Sequence, residues 1–270
     1  GNYISIFGTD VMPVSTFKNS TFGIDTETKT NHYISPNLMG YIGFNPTTDL
    51  TIGLGLYVPS GLGAEWDGAD LSMLSGSAAV EWMSKIAVVN ISPVVAYKFN
   101  ENFSLGAAFN IYYGMFDMKR PGGGGQQYSE ESSGLGFGVT VGALVKVNDM
   151  ISVGASFRTK STVTMSGTAT NPAMTAIPQL GAPAESDFDR DVAWPMWIGG
   201  GIAVKPIENL TLALDAQFSQ WSKSEDQFVT EFKDPKWVTA TSQGDANKFI
   251  LNWKDATQIR FGVEYNVNEA

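Results

Sequence analysis

Few side chains in this chain are equipped for covalent chemistry. It holds one histidine, His32, and no cysteine, which removes thiolate metal centres, cysteine nucleophiles, disulfide scaffolds and histidine clusters together. A Ser-His-Asp hydrolase would have to turn on His32, which lies on a polar approach to a strand, where a solvated imidazole is the simpler reading. The run Asp187-Phe188-Asp189-Arg190-Asp191 begins like a calcium loop, with carboxylates at alternate positions. Val192 stands where such a loop needs glycine and Arg190 interrupts the acids, so the run reads as a solvated acidic loop before a cation site. Gly122–Gly125 is not followed by the Gly-Lys-Ser/Thr of a phosphate loop and reads as a flexible loop. The expectation is a protein that is not an enzyme and carries no cofactor and no metal.

The elements that mount these residues are easier to read. Alternation with period 2 runs through most of the chain. From Leu105 one face carries Leu105, Ala107, Phe109, Ile111 and Tyr113, and the other Ser104, Gly106, Ala108, Asn110 and Tyr112. From Leu210 the split is Leu210, Leu212, Leu214 and Phe218 against Thr211, Asp215, Gln217 and Ser219; Ile259, Phe261, Val263 and Tyr265 oppose Arg260, Gly262 and Glu264. The same split recurs at 50–58, 135–147, 151–157 and 198–204. The apolar faces are fuller and longer than a soluble sandwich needs, and they match strands of about 9–11 residues tilted through a bilayer.

Composition agrees. Of 270 residues 43% are hydrophobic and only 16% charged, where soluble domains carry about 25% charged. Yet no uncharged apolar run of about 18 residues exists to make a membrane helix. With 29 glycines and 12% aromatics, the chain reads as all-β. A net charge of −10 argues against nucleic acid, which requires a basic footprint. Residues 1–7 have neither the basic nor the apolar region of a signal peptide, so the sequence is expected to be a mature or internal piece.

Connections fall into two kinds. Short turns with Asn, Asp or Pro chemistry occur at Asn45–Asp49, Asn100–Asn102, Asn148-Asp149, Pro206–Asn209 and Asn266–Asn268. Between them lie longer Gly-, Ser- and charge-rich segments at 66–83, 120–133, 167–191 and 223–253. Strict alternation of short and long connections predicts a transmembrane antiparallel up-and-down β-barrel, with short periplasmic turns and long outer loops. Tracing it gives about ten or eleven strands, the first near Tyr3–Phe17. Trp194, Trp197 and Trp221 sit near strand ends and read as interfacial girdle residues.

Several stretches are similar to the FadL/TodX-type family of outer-membrane transporters. Tyr57-Val58-Pro59-Ser60-Gly61-Leu62-Gly63-Ala64-Glu65-Trp66 resembles its third strand. Asn90–Lys98 with Leu105–Ala108 resembles the next hairpin, and Gly136–Gly138 with Val153–Lys160 the one after. Ala216–Trp221, Trp253–Asp255 and Phe261–Tyr265 resemble later strands. The likeness runs in order through the chain. It implies a barrel of fourteen strands in a full member, with residues 1–270 as a partial barrel domain. No stretch matches the family's N-terminal hatch with its Asn-Pro-Ala element, so residues 1–270 are expected to lie between that hatch and the family's final strands.

The resemblance also implies the function: passive transport of hydrophobic compounds across a bacterial outer membrane, most of all long-chain fatty acids. Aromatic hydrocarbons are the nearest alternative, and a structural or adhesive barrel the next. The expected surroundings are outer-membrane lipid and lipopolysaccharide, with the protein a monomer. Arg120 falls where the family places an arginine for the substrate carboxylate, and a guanidinium can bind a carboxylate bidentately. Lys119 adjoins it, and Lys248 or Lys254 is the expected second cation; rim charges on a solvated loop would look the same. Trp82 and Met83 end the segment 69–83, read either as a short amphipathic helix over the mouth, where methionines adapt to apolar ligands, or as a self-packed loop. Pro59, Gly61 and Gly63 interrupt a clean strand. In the family this strand kinks inward and opens a lateral exit; alternatively Pro59 simply ends the strand.

Overall fold

The computed structural model describes residues 3–8, 10–32, 38–44, 47, 49–242 and 245–267. In chain order they form β1 (Tyr3–Gly8), β2 (Thr16–Asn19), β3 (Ile24–Glu27), β4 (Leu38–Phe44), β5 (Leu50–Trp66), β6 (Trp82–Asn100), β7 (Phe103–Gly123), β8 (Gln126–Lys146) and β9 (Ile151–Arg158). There follow β10 (Ser161–Thr170), β11 (Glu185–Trp194), β12 (Trp197–Ile207), β13 (Leu210–Ser219), β14 (Gln227–Val229), β15 (Glu231–Phe232), the helix α1 (Pro235–Ser242), β16 (Lys248–Ile250) and β17 (Ala256–Tyr265). No helix among the described residues is long and apolar enough to cross a membrane.

The main sheet runs β1-β4-β5-β6-β7-β8-β9-β12-β13-β17, with every neighbouring pair antiparallel. Strands β9 and β10 are two halves of one broken strand. Both pair with β8, β9 along its inner half and β10 along its outer half. Strands β12 and β11 continue one another in the same way, paired to β9 and β10 respectively. The sheet curls on itself: Arg158 on β9 donates through Nη2 to the Tyr57 hydroxyl on β5, 3.0 Å away across the interior. The expected first strand is instead β1 followed by the separate β2–β3 hairpin.

Outward-facing positions carry a continuous apolar band. Val95, Phe109, Phe137, Val141, Phe157 and Ile198 are all exposed, and Phe109 stacks on Phe137 with ring centroids 5.8 Å apart. In water such a surface would drive association; facing lipid it is the ordinary state of a barrel wall. The short turns close one end, as at Asn100↔Phe103 and Ile207↔Leu210. Asn45, Pro46, Thr48 and Asn268, in the first and last expected turns, lie outside the described residues.

At the other end the strands outrun the apolar band. The segment 120–133, expected as a long loop, is strand: β7 and β8 pair as far as Gly123↔Gln126. Three glycines with positive φ, Gly123, Gly124 and Gly125, make the tight connection, a conformation that L side chains resist. The expected acidic loop 187–191 is also strand. Asp187, Asp189 and Asp191 point outward and accept hydrogen bonds from Thr168, Ser166 and Thr164, while Phe188 and Arg190 point inward and are buried. Segment 69–83 holds one 3-10 turn, Ser72–Ser75, rather than an amphipathic helix.

Two packed clusters lie inside the sheet, both in this outer half. The lower joins Val88, Tyr112, Phe116, Val163, Met165, Val192 and Phe228. The upper joins Tyr128, Met174, Phe188, Phe232 and Trp237 with two alanines. The excursion between β13 and β17 supplies Phe228, Phe232 and Trp237, so it folds inward rather than out into solvent.

Candidate functional site: a cavity beneath the outer loops

A single cross-strand row explains how the site is shaped. By register, Ser60 faces Val88, Val88 faces Gly114, Gly114 faces Gly134, Gly134 faces Met165 and Met165 faces Arg190. The two glycines let the wall bend sharply. A Cβ on Gly134 would lie 1.8 Å from the Thr164 carbonyl oxygen, and one on Gly114 would lie 2.4 Å from Met165 Cε. Bending there brings Arg190, at the end of the row, round to a cavity that Ser60 and Leu62 of β5 also line.

That cavity has a volume of about 380 Å³. Its walls include Ile86, Phe116, Val192 and Trp194 from the sheet, and Trp221, Phe228, Phe249 and Trp253 from the β13–β17 excursion. Trp221 and Trp253 meet edge to face, with centroids 4.8 Å apart, and Phe228 stacks on Phe249. Trp194 and Trp221 therefore face this cavity rather than an outer girdle. Trp197 turns inward as well, beneath the Arg158 guanidinium at 5.0 Å.

Among the described residues, Arg190 is the one charged residue in the cavity wall. It is 4% exposed and donates through Nη1 to Glu130 Oε1 at 2.5 Å. Its Nη2 donates to Thr230 Oγ1, and its guanidinium lies over the rings of Phe116 and Phe188. Glu130, 2% exposed, also accepts from the Tyr128 hydroxyl. Burial, then the neighbouring Glu130, pushes the Tyr128 phenol well above its ordinary value, so it stays a donor. Removing a charge from water is costly unless its partner goes with it; here the two go together, and Glu130 neutralises Arg190 from behind the cavity wall.

Beneath the cavity lies a polar layer. Asn90 donates to Ser92 and Asn110, Ser92 donates to Asn110, and Asn110 donates to Thr140, all at 2.8–3.0 Å. Below it the interior widens into a space of about 770 Å³, lined by small residues such as Gly106, Ala108, Gly142, Gly154, Ser156 and Gly201.

The residues singled out from the sequence are distributed around this cavity rather than inside it. Arg120 stacks on Tyr128 at 4.2 Å and donates to the Ala246 carbonyl at 3.3 Å. Lys248, two residues on, binds Asp245 at 2.8 Å. Arg120 and Lys248 thus meet at one turn, next to Phe249 of the cavity wall. Lys119 pairs with Glu81 at 2.5 Å on the outward side, where Met83 is its strand partner. Trp82 donates from Nε1 to Ser75 at 3.2 Å, and Lys254 is exposed. The strand does not end at Pro59. Tyr57 faces Asn90 and Ser60 faces Val88, so Val58 and Pro59 together oppose one residue in a β-bulge. Gly61 and Gly63 follow in the same strand, paired with Ala87 and Lys85. Neither Arg190 nor Glu130 was legible as a site residue. The strict alternation of Asp187–Asp191 is the signal that would have placed Arg190 on an inward face.

His32 pairs with Asp10 at 2.7 Å on the surface, and no group of three or more potential metal ligands occurs among the described residues. The arrangement is that of a container. Residues 9–270 match the family model described as outer membrane protein transport protein, OMPP1/FadL/TodX.

The chain belongs to this family. No curated relative matches it by sequence. Solved structures of the FadL/TodX type share its fold at low identity. A Pseudomonas aeruginosa FadL homologue superposes with a TM-score of 0.69 at 15% identity, over 99% of this chain and 68% of that one. The Ralstonia pickettii toluene transporter TbuX gives 0.69 at 17%, over 100% and 74%. The Pseudomonas putida toluene transporter TodX gives 0.68 at 16%, over 99% and 70%.

Proposed function

We propose that this FadL/TodX-family chain forms the wall and capture site of a passive outer-membrane channel for hydrophobic compounds, uncharged ones above all. The observation that carries this reading is the aromatic cavity whose one charge, Arg190, is already matched by Glu130. An apolar molecule entering it gains contact area, whereas a carboxylate must lose its hydration without gaining a free cation. The outward apolar band would sit in outer-membrane lipid, with lipopolysaccharide around the long-loop end and the protein a monomer.

Release is proposed to be sideways. Ser60 and Leu62, which line the cavity, directly follow the Val58–Pro59 bulge. The register of β4 on β5 runs from Phe44↔Ile52 to Gly40↔Leu56, short of that bulge. A bent strand with Pro59 in it is a natural weak point in a barrel wall.

Long-chain fatty acids are the second reading. Arg120 and Lys248 gather at the 245–248 turn beside Phe249, where a carboxylate could rest with its chain in the cavity. Titrating the protein in detergent with toluene and with a fluorescent long-chain fatty acid separates the two. The first reading expects saturable toluene binding, weakened several-fold by Phe249→Ala and untouched by Arg120→Ala. Saturable fatty-acid binding that Arg120→Ala weakens, with none of toluene, would carry the second. Saturable binding of neither would overturn both.

A further inference from the structure

We propose that the cavity is built for a molecule carrying one uncharged hydrogen-bond acceptor on an otherwise apolar body, and that the Nε–H of Arg190 is the donor that reads it. The inference rests on the cavity being the capture site.

A guanidinium has five N–H bonds and no acceptor. In Arg190 one N–H of Nη1 goes to Glu130 and one of Nη2 to Thr230, leaving Nε as the guanidinium nitrogen with no hydrogen bond, and the rings of Phe116 and Phe188 lie over the guanidinium. Nε is buried and has no hydrogen-bond partner among the described residues. A buried donor left dry costs as much as a lost hydrogen bond, which is why nearly all such groups find partners. The same side chain lines the cavity and Nε lies under that wall, closed to water, so a bound molecule brings the missing acceptor by shifting the side chains that cover it.

The charge balance narrows the chemistry. Glu130 already neutralises the guanidinium, so a second carboxylate would place two anions against one cation in apolar surroundings. A bare hydrocarbon would fill the cavity and leave the Nε–H unbonded. An aryl ketone, ester or ether satisfies both conditions. Ser60 and Ser84 are the hydroxyl side chains in the wall, both on the facing strands, and they provide the competing explanation for any preference of this kind.

Acetophenone and ethylbenzene have the same carbon skeleton and differ at one carbon, a carbonyl against a methylene. Binding is read by quenching of the wall tryptophans Trp194, Trp221 and Trp253, and the bound ketone is observed by its isotope-labelled carbonyl stretch. The expected stretch lies below that of the ketone in an apolar solvent, the mark of a hydrogen-bonded carbonyl. Arg190→Lys keeps the charge opposite Glu130 but removes Nε. It is expected to weaken acetophenone about ten-fold relative to ethylbenzene, the worth of one hydrogen bond from a charged donor, and to return the stretch to its apolar value. An unshifted carbonyl in the wild type overturns the proposal without any variant and leaves the cavity as a capture site. A shifted carbonyl that persists in Arg190→Lys and is lost in the Ser60→Ala/Ser84→Ala variant also overturns it, assigning the bond to the serines. If neither compound binds saturably, the capture reading itself fails and takes this inference with it.

Discussion

The same strands build two different interiors. Toward the short turns, the inward positions of β7, β8 and β9 are Gly106, Ala108, Gly142, Gly154 and Ser156, and the space between them stays wide. Toward the long loops, the inward positions of β6, β7 and β10 are Val88, Tyr112, Phe116, Val163 and Met165, and they pack solid. The Asn90–Ser92–Asn110–Thr140 layer marks the boundary. Side-chain size on one face of a strand therefore decides whether a barrel segment is a conduit or a container. The container half is also where charge is buried, in the Arg190–Glu130 pair, whereas the Asp215–Arg260 pair at 2.7 Å lines the wide half.

That contrast can be broken most forcefully at its ion pairs. Glu130→Gln strands a buried guanidinium and is expected to cost about 3–5 kcal/mol. Asp215→Asn in the conduit half is expected to cost less than about 1 kcal/mol. Thermal or denaturant unfolding of the detergent-folded barrel measures both, and similar losses would erase the distinction.

Next come two glycines on one strand. Gly134→Ala drives a Cβ into the Thr164 carbonyl oxygen, whereas a Cβ on Gly142 would meet its nearest neighbour, the Ala155 carbonyl oxygen, at 3.5 Å, ordinary contact. Overpacking of this kind is expected to cost about 1–3 kcal/mol at Gly134. At Gly142 the alanine should be neutral or stabilise by about 0.4–1 kcal/mol through the unfolded chain. The same melting experiment decides, and a harmless Gly134→Ala would mean that the bend does not depend on glycine.

The smallest effect lies at the rim of the container. Lys29 and Asn31 reach across to Glu65 at the outer end of β5, and the hydrogen bond from Lys29 holds the Glu65 carboxyl below its ordinary value. Its contribution is therefore complete above the ordinary carboxylate pKa and is lost as pH falls through the lowered one. The opening equilibrium at Lys29, whose N–H bonds the Glu65 carbonyl at 2.7 Å, is read from amide exchange after dividing out the intrinsic rate at each pH. It should rise as pH falls over that acid window, and a pH-independent opening equilibrium would show that the ion pair does not tether the segment.

Period-2 alternation made the membrane-spanning part legible, because lipid imposes an apolar outward face on every strand that crosses it. Beyond the band that constraint ends. Segments 126–133 and 185–191 are polar on the outward face and hold Glu130 and Arg190 on the inward one, so they look like loops although they are strands. The ion pair joins residues 60 positions apart, and neither charge gives any local sign of burial. Gly114 and Gly134 give no local sign of the bend they set, which follows only from the register of six strands. Pro59 was legible as an interruption, and the bulge is its three-dimensional form.

The central claim is that hydrophobic compounds are captured in the outer cavity and not in the wide interior below it. Diffraction from crystals soaked in a bromoaryl ketone, with the bromine located by its anomalous signal, tests this directly. The account predicts a bromine peak among Trp194, Phe228 and Trp253, above the Asn90–Asn110 layer. A peak found only between Gly106, Gly154 and Gly201 would contradict it.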